Sequence, residues 1–276
     1  MDITTVRSYR IARDRADLAL APGEAIIAGG TWLMSEPQPE TTGFVDLTGM
    51  GWPDLEVTAA GLRIAATCTI RNLVAWAKRA ETEHPDWPAA PLAIDAANAL
   101  LASFKIWNTA TVGGNICRAF AAGAMVSLCA ALDGVAVIWP AETAEEAESE
   151  RRMPVAQLVT GNGSTSLARG DVLRAIEIPA HALAARARLR KIALAELGRS
   201  GAVVTGRVDP DGASVFTVTA ATVTPTVLRF AQLPEADELA DAVGSASGYY
   251  SDPLGAADWR RGVSVVLAER IREDLA

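Results

Sequence analysis

Apolar and polar positions along the chain alternate between two periods. In "TIRNLVAWAKRAETE", Ile70, Leu73, Val74 and Ala77 recur at i, i+3, i+4, i+7 behind Thr69, a good N-cap; the spacing predicts an amphipathic helix. Before it, "ARDRADLALA" reads as a short helix, and "EAIIAGG" as a buried strand running into a glycine turn. "GFVDL" is a further strand. "LEVTAAGLRIAA" predicts a hairpin in which Leu55 and Val57 face Leu62 and Ile64. A helix is expected from Pro91 to Phe104, and another in "AAGAMVSLCAALDG", with Met125, Leu128, Cys129 and Leu132 on one side. "VAVIW" and "DVLRAIEIP" read as strands.

Somewhere between residues 165 and 185 the pattern changes. "AVVTGRV", "ASVFTVTAATV" and "TVLRF" predict a three-stranded antiparallel meander, with "DPDG" as its first turn. "PEADELADAV" and "AADWRRGVSVVLAERIRED" predict closing helices, the latter with Val263, Val266, Leu267 and Ile271 on its apolar stripe. "ARARLRKIALAELGRSG" stays open: its composition favours helix, its position a strand. The expectation is an α+β chain with a two-lobed module over 1–175, split near residue 53, and a small domain over 176–276. The acidic "AETAEEAESERR" reads as a solvated loop or frayed helix.

Half of the 276 residues are hydrophobic, enough for a sizeable core. A net charge of -8 argues against a nucleic-acid groove or an anionic membrane surface. No apolar run reaches membrane-spanning length and the N-terminus lacks a secretory pattern, so a cytoplasmic protein is expected. Three cysteines, Cys68, Cys117 and Cys129, without a CxxC pair cannot build a four-cysteine cluster. His84 and His181 are too few for a His-based metal centre or triad.

The candidate chemistry lies in two glycine pairs, "AGGTW" (28–32) and "TVGGN" (111–115). Glycine admits positive φ and lets main-chain N–H groups approach a ligand, and successive N–H groups can form an anion nest. Two such turns on facing segments can hold a diphosphate from both sides, with Thr31, Thr111 and Asn115 adding side-chain donors. Hydrogen bonds to charged groups contribute about 1.5–3 kcal/mol each. There is no Walker A loop and no GxGxxG. Taken alone, each pair is compatible with a plain tight turn or with a phosphate site.

The order "AIIAGGTWLM", "FVDLTGM", "GLRIAATCTIRNLVAWA", "KIWNTATVGGNI" and "RRMPVAQLVTGNGSTSLARGDVLRAIEIP" resembles the FAD-binding (medium) flavoprotein subunits of the molybdenum hydroxylases. That is the carbon monoxide dehydrogenase and xanthine dehydrogenase family, whose module has the PCMH-type (vanillyl-alcohol-oxidase-like) fold. The resemblance covers nearly the whole chain. It implies FAD held by Ile27, Ala28, Gly29, Gly30, Thr31 and Trp32 on one side. Thr111, Val112, Gly113, Gly114 and Asn115 would hold it on the other, with Leu173 and Lys191 further along. It implies no catalytic acid or base in this chain. The implied partners are a large molybdopterin subunit and a small [2Fe–2S] subunit, with electrons passing through FAD to NAD, a quinone or oxygen.

Three positions depart from the family pattern. Ala124 stands where an aspartate is common, Leu189 where an aromatic residue often precedes the lysine, and Trp32 where an acidic or polar residue follows AGGT. Trp32 and Phe120 offer substitute aromatic surface or simple packing. These departures keep open a relative that binds FAD or another nucleotide without turnover, in an assembly or scaffold role. A self-contained flavin oxidase is a third reading; such oxidases usually hold flavin covalently through His or Cys, and the histidines lie outside the glycine motifs.

Overall fold

The computed structural model describes residues 4–100, 102–141, 149–195 and 198–276; most of the acidic stretch lies outside them. The chain opens with β1 (Ser8–Ile11), β2 (Glu24–Ile27) and β3 (Gly43–Asp46). They form a parallel sheet in the order β1-β3-β2, with Asp46 opposite both Ile11 and Ile27. The helix expected in "ARDRADLALA" is a single 3-10 turn, Ala16–Leu18. Leu18, Val45 and Leu47 form this lobe's core and close on Val172 of the next.

The second lobe begins with the hairpin β4 (Leu55–Thr58) and β5 (Gly61–Ala65). Its register, Leu55 opposite Ile64 and Val57 opposite Leu62, is the one the alternation predicts. Helix α1 (Ile70–Glu83) follows, with the Thr69 hydroxyl accepting from the Asn72 N–H at 3.2 Å as its cap. The helix expected over Pro91–Phe104 is shorter. As α2 it spans Leu92–Ala99, Leu100 is extended, and one further turn, α3 (Phe104–Trp107), stands apart. Two more helices, α4 (Val112–Arg118) and α5 (Ala124–Ala131), precede β6 (Val135–Trp139) and β7 (Arg151–Pro154). Every residue of α5 is buried, not one side only. It packs between α2 and the third sheet, so no face of it meets water. A turn, α6 (Val155–Leu158), and a small ribbon, β8 (Val159–Gly161) with β9 (Ser164–Thr165), lead to β10 (Val172–Pro179) and α7 (Ala180–Leu183). The sheet runs β4-β5-β10-β6-β7, antiparallel throughout. Because Ile176–Pro179 stay paired with β5, the change of sheet comes between Leu183 and Arg186, past residue 175.

The C-terminal meander has four strands, where three were expected. The open segment supplies the first, β11 (Arg186–Ile192), followed by β12 (Ala202–Val208), β13 (Ser214–Thr219) and β14 (Thr226–Phe230). Helices α8 (Ala236–Gly244) and α9 (Ala257–Leu275) close it, and Leu267 and Ile271 of α9 join a core with Val204 and Phe216. This domain is fastened to the second lobe by polar contacts. Ser127 Oγ lies 2.6 Å from Thr219 Oγ1, and the Ala220 N–H donates to Ala121 O at 2.8 Å. Arg207, fully buried, bonds Asp133, Asp209 and the Ala131 carbonyl.

Candidate cofactor site

Strand β2 delivers the chain into the first glycine pair. A Cβ on Gly29 would lie 1.9 Å from the Thr109 carbonyl oxygen, so only glycine lets this segment touch the run leading into the second pair. Gly30 takes φ +64°, a left-handed conformation that glycine adopts readily. The chain then turns, with the Met34 N–H donating to Gly30 O at 2.8 Å and the Ser35 N–H to Trp32 O at 2.9 Å. The main-chain N–H groups of Ala28 to Leu33 have no acceptor among the described residues. Six consecutive donors without partners make a surface suited to anionic oxygens.

The second pair is built differently. "TVGGN" is the start of α4, where the glycines suggested a tight turn. Thr111 caps it, accepting from the Gly114 N–H at 3.0 Å through its hydroxyl. The Asn115 N–H donates to Thr111 O, Val112 N–H to Cys68 O and Gly113 N–H to Ala66 O, at 2.8–3.0 Å. The two capping threonines, Thr69 and Thr111, form an antiparallel bridge, so the starts of α1 and α4 hold each other. A Cβ on Gly113 would meet the Ala66 Cβ at 2.4 Å, so this glycine serves packing. Gly114 is exposed, and a Cβ there would meet only the Thr111 hydroxyl, at 2.8 Å. Asn115 Oδ1 accepts from the Met125 N–H at 2.9 Å, leaving its NH2 group free to donate. This side therefore presents a bare glycine surface and one side-chain amide rather than main-chain donors, with the Thr111 hydroxyl buried as the helix cap.

The other sequence candidates stand on other elements. Leu173 is buried in the second-lobe core, opposite Ile138 on β6. Lys191, on β11, donates from Nζ to Asn98 O at 2.8 Å, at the end of α2. Leu189 packs with Ala99, Ala122, Val203 and Ala220, and Ala124 is buried at the start of α5. Trp32 meets Phe120 edge-on at 6.4 Å between centroids. Between these rings lies Arg118, which the sequence reading passed over; its only signal is a charge three residues past Asn115. Cys68 and Cys129 are buried, their thiols pushed up to about 12 by desolvation, and are unreactive packing residues. His84 stacks on Trp87, and His181 lies 3.5 Å from Asp133, far in sequence from either glycine pair. Among the described residues no group of three or more His, Cys, Asp and Glu side chains is placed to hold a metal ion. None of the helices described is long and apolar enough to cross a membrane.

Comparison with known proteins bears on the fold and the family. No curated protein matches. The fold is that of a chain of quinoline 2-oxidoreductase from Pseudomonas putida 86, at TM-score 0.79 and 20% identity, covering 100% of this chain and 98% of that one. A chain of CO dehydrogenase from Oligotropha carboxidovorans aligns at TM-score 0.83 and 19% identity, covering 100% and 99%. A chain of carbon monoxide dehydrogenase from Hydrogenophaga pseudoflava gives 0.79 and 17%, covering 100% and 98%. Residues 11–181 match the family model described as the FAD binding domain in molybdopterin dehydrogenase, and this chain belongs to that family of FAD-binding oxidoreductase components.

Proposed function

We propose that this chain is the electron-transfer flavoprotein of a molybdenum hydroxylase complex. It would take electrons from the [2Fe–2S] clusters of a small partner subunit and pass them to NAD, a quinone or oxygen. A large molybdopterin subunit would carry out the hydroxylation. The observation that carries this reading is the run of six N–H groups from Ala28 to Leu33 that have no acceptor among the described residues, in a chain of this family. Ile27–Trp32 would embrace the diphosphate with main-chain donors. Thr111, Val112, Gly113, Gly114 and Asn115 would form the opposite wall, with Leu173 and Lys191 toward the flavin end. When bound, FAD supplies the redox chemistry, and this chain's residues bind and orient it.

Denaturing the purified chain should release intact FAD. The bound flavin should be reduced by dithionite or NADH, or by the complex with its substrate, and the isolated chain should hydroxylate nothing. Flavin left on the polypeptide, FMN in its place, or product made by this chain alone would each refute the subunit reading. A second reading, binding without turnover, draws on Leu189 and Ala124, both absorbed into apolar packing. A bound flavin that cannot be reduced would favour it.

A further inference from the structure

We infer that Arg118 is the cation of the cofactor site, held between Trp32 and Phe120 to bond the FAD diphosphate. The inference rests on the reading of the glycine segments as an FAD cradle. The Arg118 guanidinium carbon lies 3.9 Å from the Trp32 ring centroid and 3.8 Å from that of Phe120. The rings come from the two walls: Trp32 belongs to the run of unpaired amides, and Phe120 follows α4. A guanidinium has five N–H donors and no acceptor. None of those of Arg118 meets a protein acceptor among the described residues, and Nε is sealed from solvent as well, while the Nη groups keep access to it. Gly163 backs it from a third side: a Cβ there would lie 3.2 Å from Nη1, and the Gly163 N–H is fixed on Ala119 O at 2.7 Å.

Burying Nε without a protein acceptor is costly, and contact with two ring faces offsets only part of that. Burial accordingly pushes its pKa down, against a small opposing effect of Glu36. The fully buried Arg207 and Arg260 show the contrast, since each bonds carboxylates and main-chain carbonyls. Among the described residues neither Arg118 nor the amides of 28–33 meet a protein acceptor. Neither Ile27–Trp32 nor Thr111–Asn115 contains a lysine or arginine, so the walls alone leave a diphosphate's charge uncompensated. One anion shared by the amides and Arg118 satisfies both.

The test is calorimetric titration of apo protein with FAD, ADP and riboflavin, comparing wild type with Arg118→Gln and Arg118→Lys. With Arg118 on the diphosphate, R118Q should weaken FAD and ADP by a common factor of about tenfold or more, and leave riboflavin unchanged. R118K should recover part of the loss, and wild-type ADP affinity should fall with added salt more steeply than that of R118Q. An unchanged thermal midpoint shows that R118Q is folded; if it does not fold, R118K and the wild-type salt dependence decide. Equal ADP affinity in wild type and R118Q overturns the assignment, as does equal weakening of riboflavin and ADP. Wild type that binds neither FAD nor ADP defeats the cradle reading itself, and the assignment with it.

Discussion

The two glycine pairs look alike in the sequence and differ in the structure. From Ala28 to Leu33 the main-chain N–H groups have no acceptor among the described residues. From Val112 to Asn115 every N–H is already bonded, to Cys68, to Ala66 and to Thr111. Within each pair the glycines also divide the work. Gly29 and Gly113 permit backbone contact, with Thr109 and Ala66 respectively, whereas Gly30 sets a left-handed turn and Gly114 leaves a surface bare. In the proposed cradle one wall would donate from its backbone, and the other would supply a rigid platform with a side-chain amide. A motif read as two equivalent turns would then be a donor and its support.

The sharpest way to break this arrangement is Gly29→Val. Its Cβ would fall 1.9 Å from a backbone oxygen, which no rotamer change relieves. We expect a loss of about 3 kcal/mol or more in denaturant unfolding, with FAD binding lost as the segments separate. Gly114→Val should do the reverse. Only the Thr111 hydroxyl stands near its Cβ, so the fold should persist at a cost near that of a lost cap, about 1 kcal/mol. FAD affinity should fall more than tenfold, about 1.4 kcal/mol, in a fluorescence titration. A smaller fall would mean that this surface does not meet the cofactor. The smallest effect is expected from the threonines. Thr111→Ala should lower stability by about 1 kcal/mol through its lost cap, while Thr31→Ala, which caps nothing, should leave the melting curve unmoved.

Much of the fold was legible because local pattern and tertiary demand agreed. The hairpin register followed from Leu55, Val57, Leu62 and Ile64, and α1 from its spacing and Thr69. Several elements were hidden, β1, β7, β8 and β9 among them, and two show why. Helix α4 carries two glycines in its first turns, poor helix formers that pointed to a turn; only the Thr111 cap gave it away. Strand β11 is rich in Ala, Arg, Leu and Lys, which favour helix. The alternation of Arg186, Arg188 and Arg190 with Ala187 and Leu189 was the better guide. In the site, glycine spacing was readable, but which amides stay free was not. That depends on carbonyls of Ala66 and Cys68, brought in by another element. Arg118 had no motif to announce it, because its environment is made by Trp32 from the other lobe.

Amide hydrogen exchange with and without FAD tests the central claim most directly, comparing peptides that cover 28–33 and 112–115. The account predicts that FAD, and ADP in its place, strongly slows exchange at Ala28 to Leu33, where the N–H groups have no partner among the described residues. Val112 to Asn115 should already be slow in the apo protein and change little. Protection that appears at 112–115 while 28–33 goes on exchanging freely would contradict it.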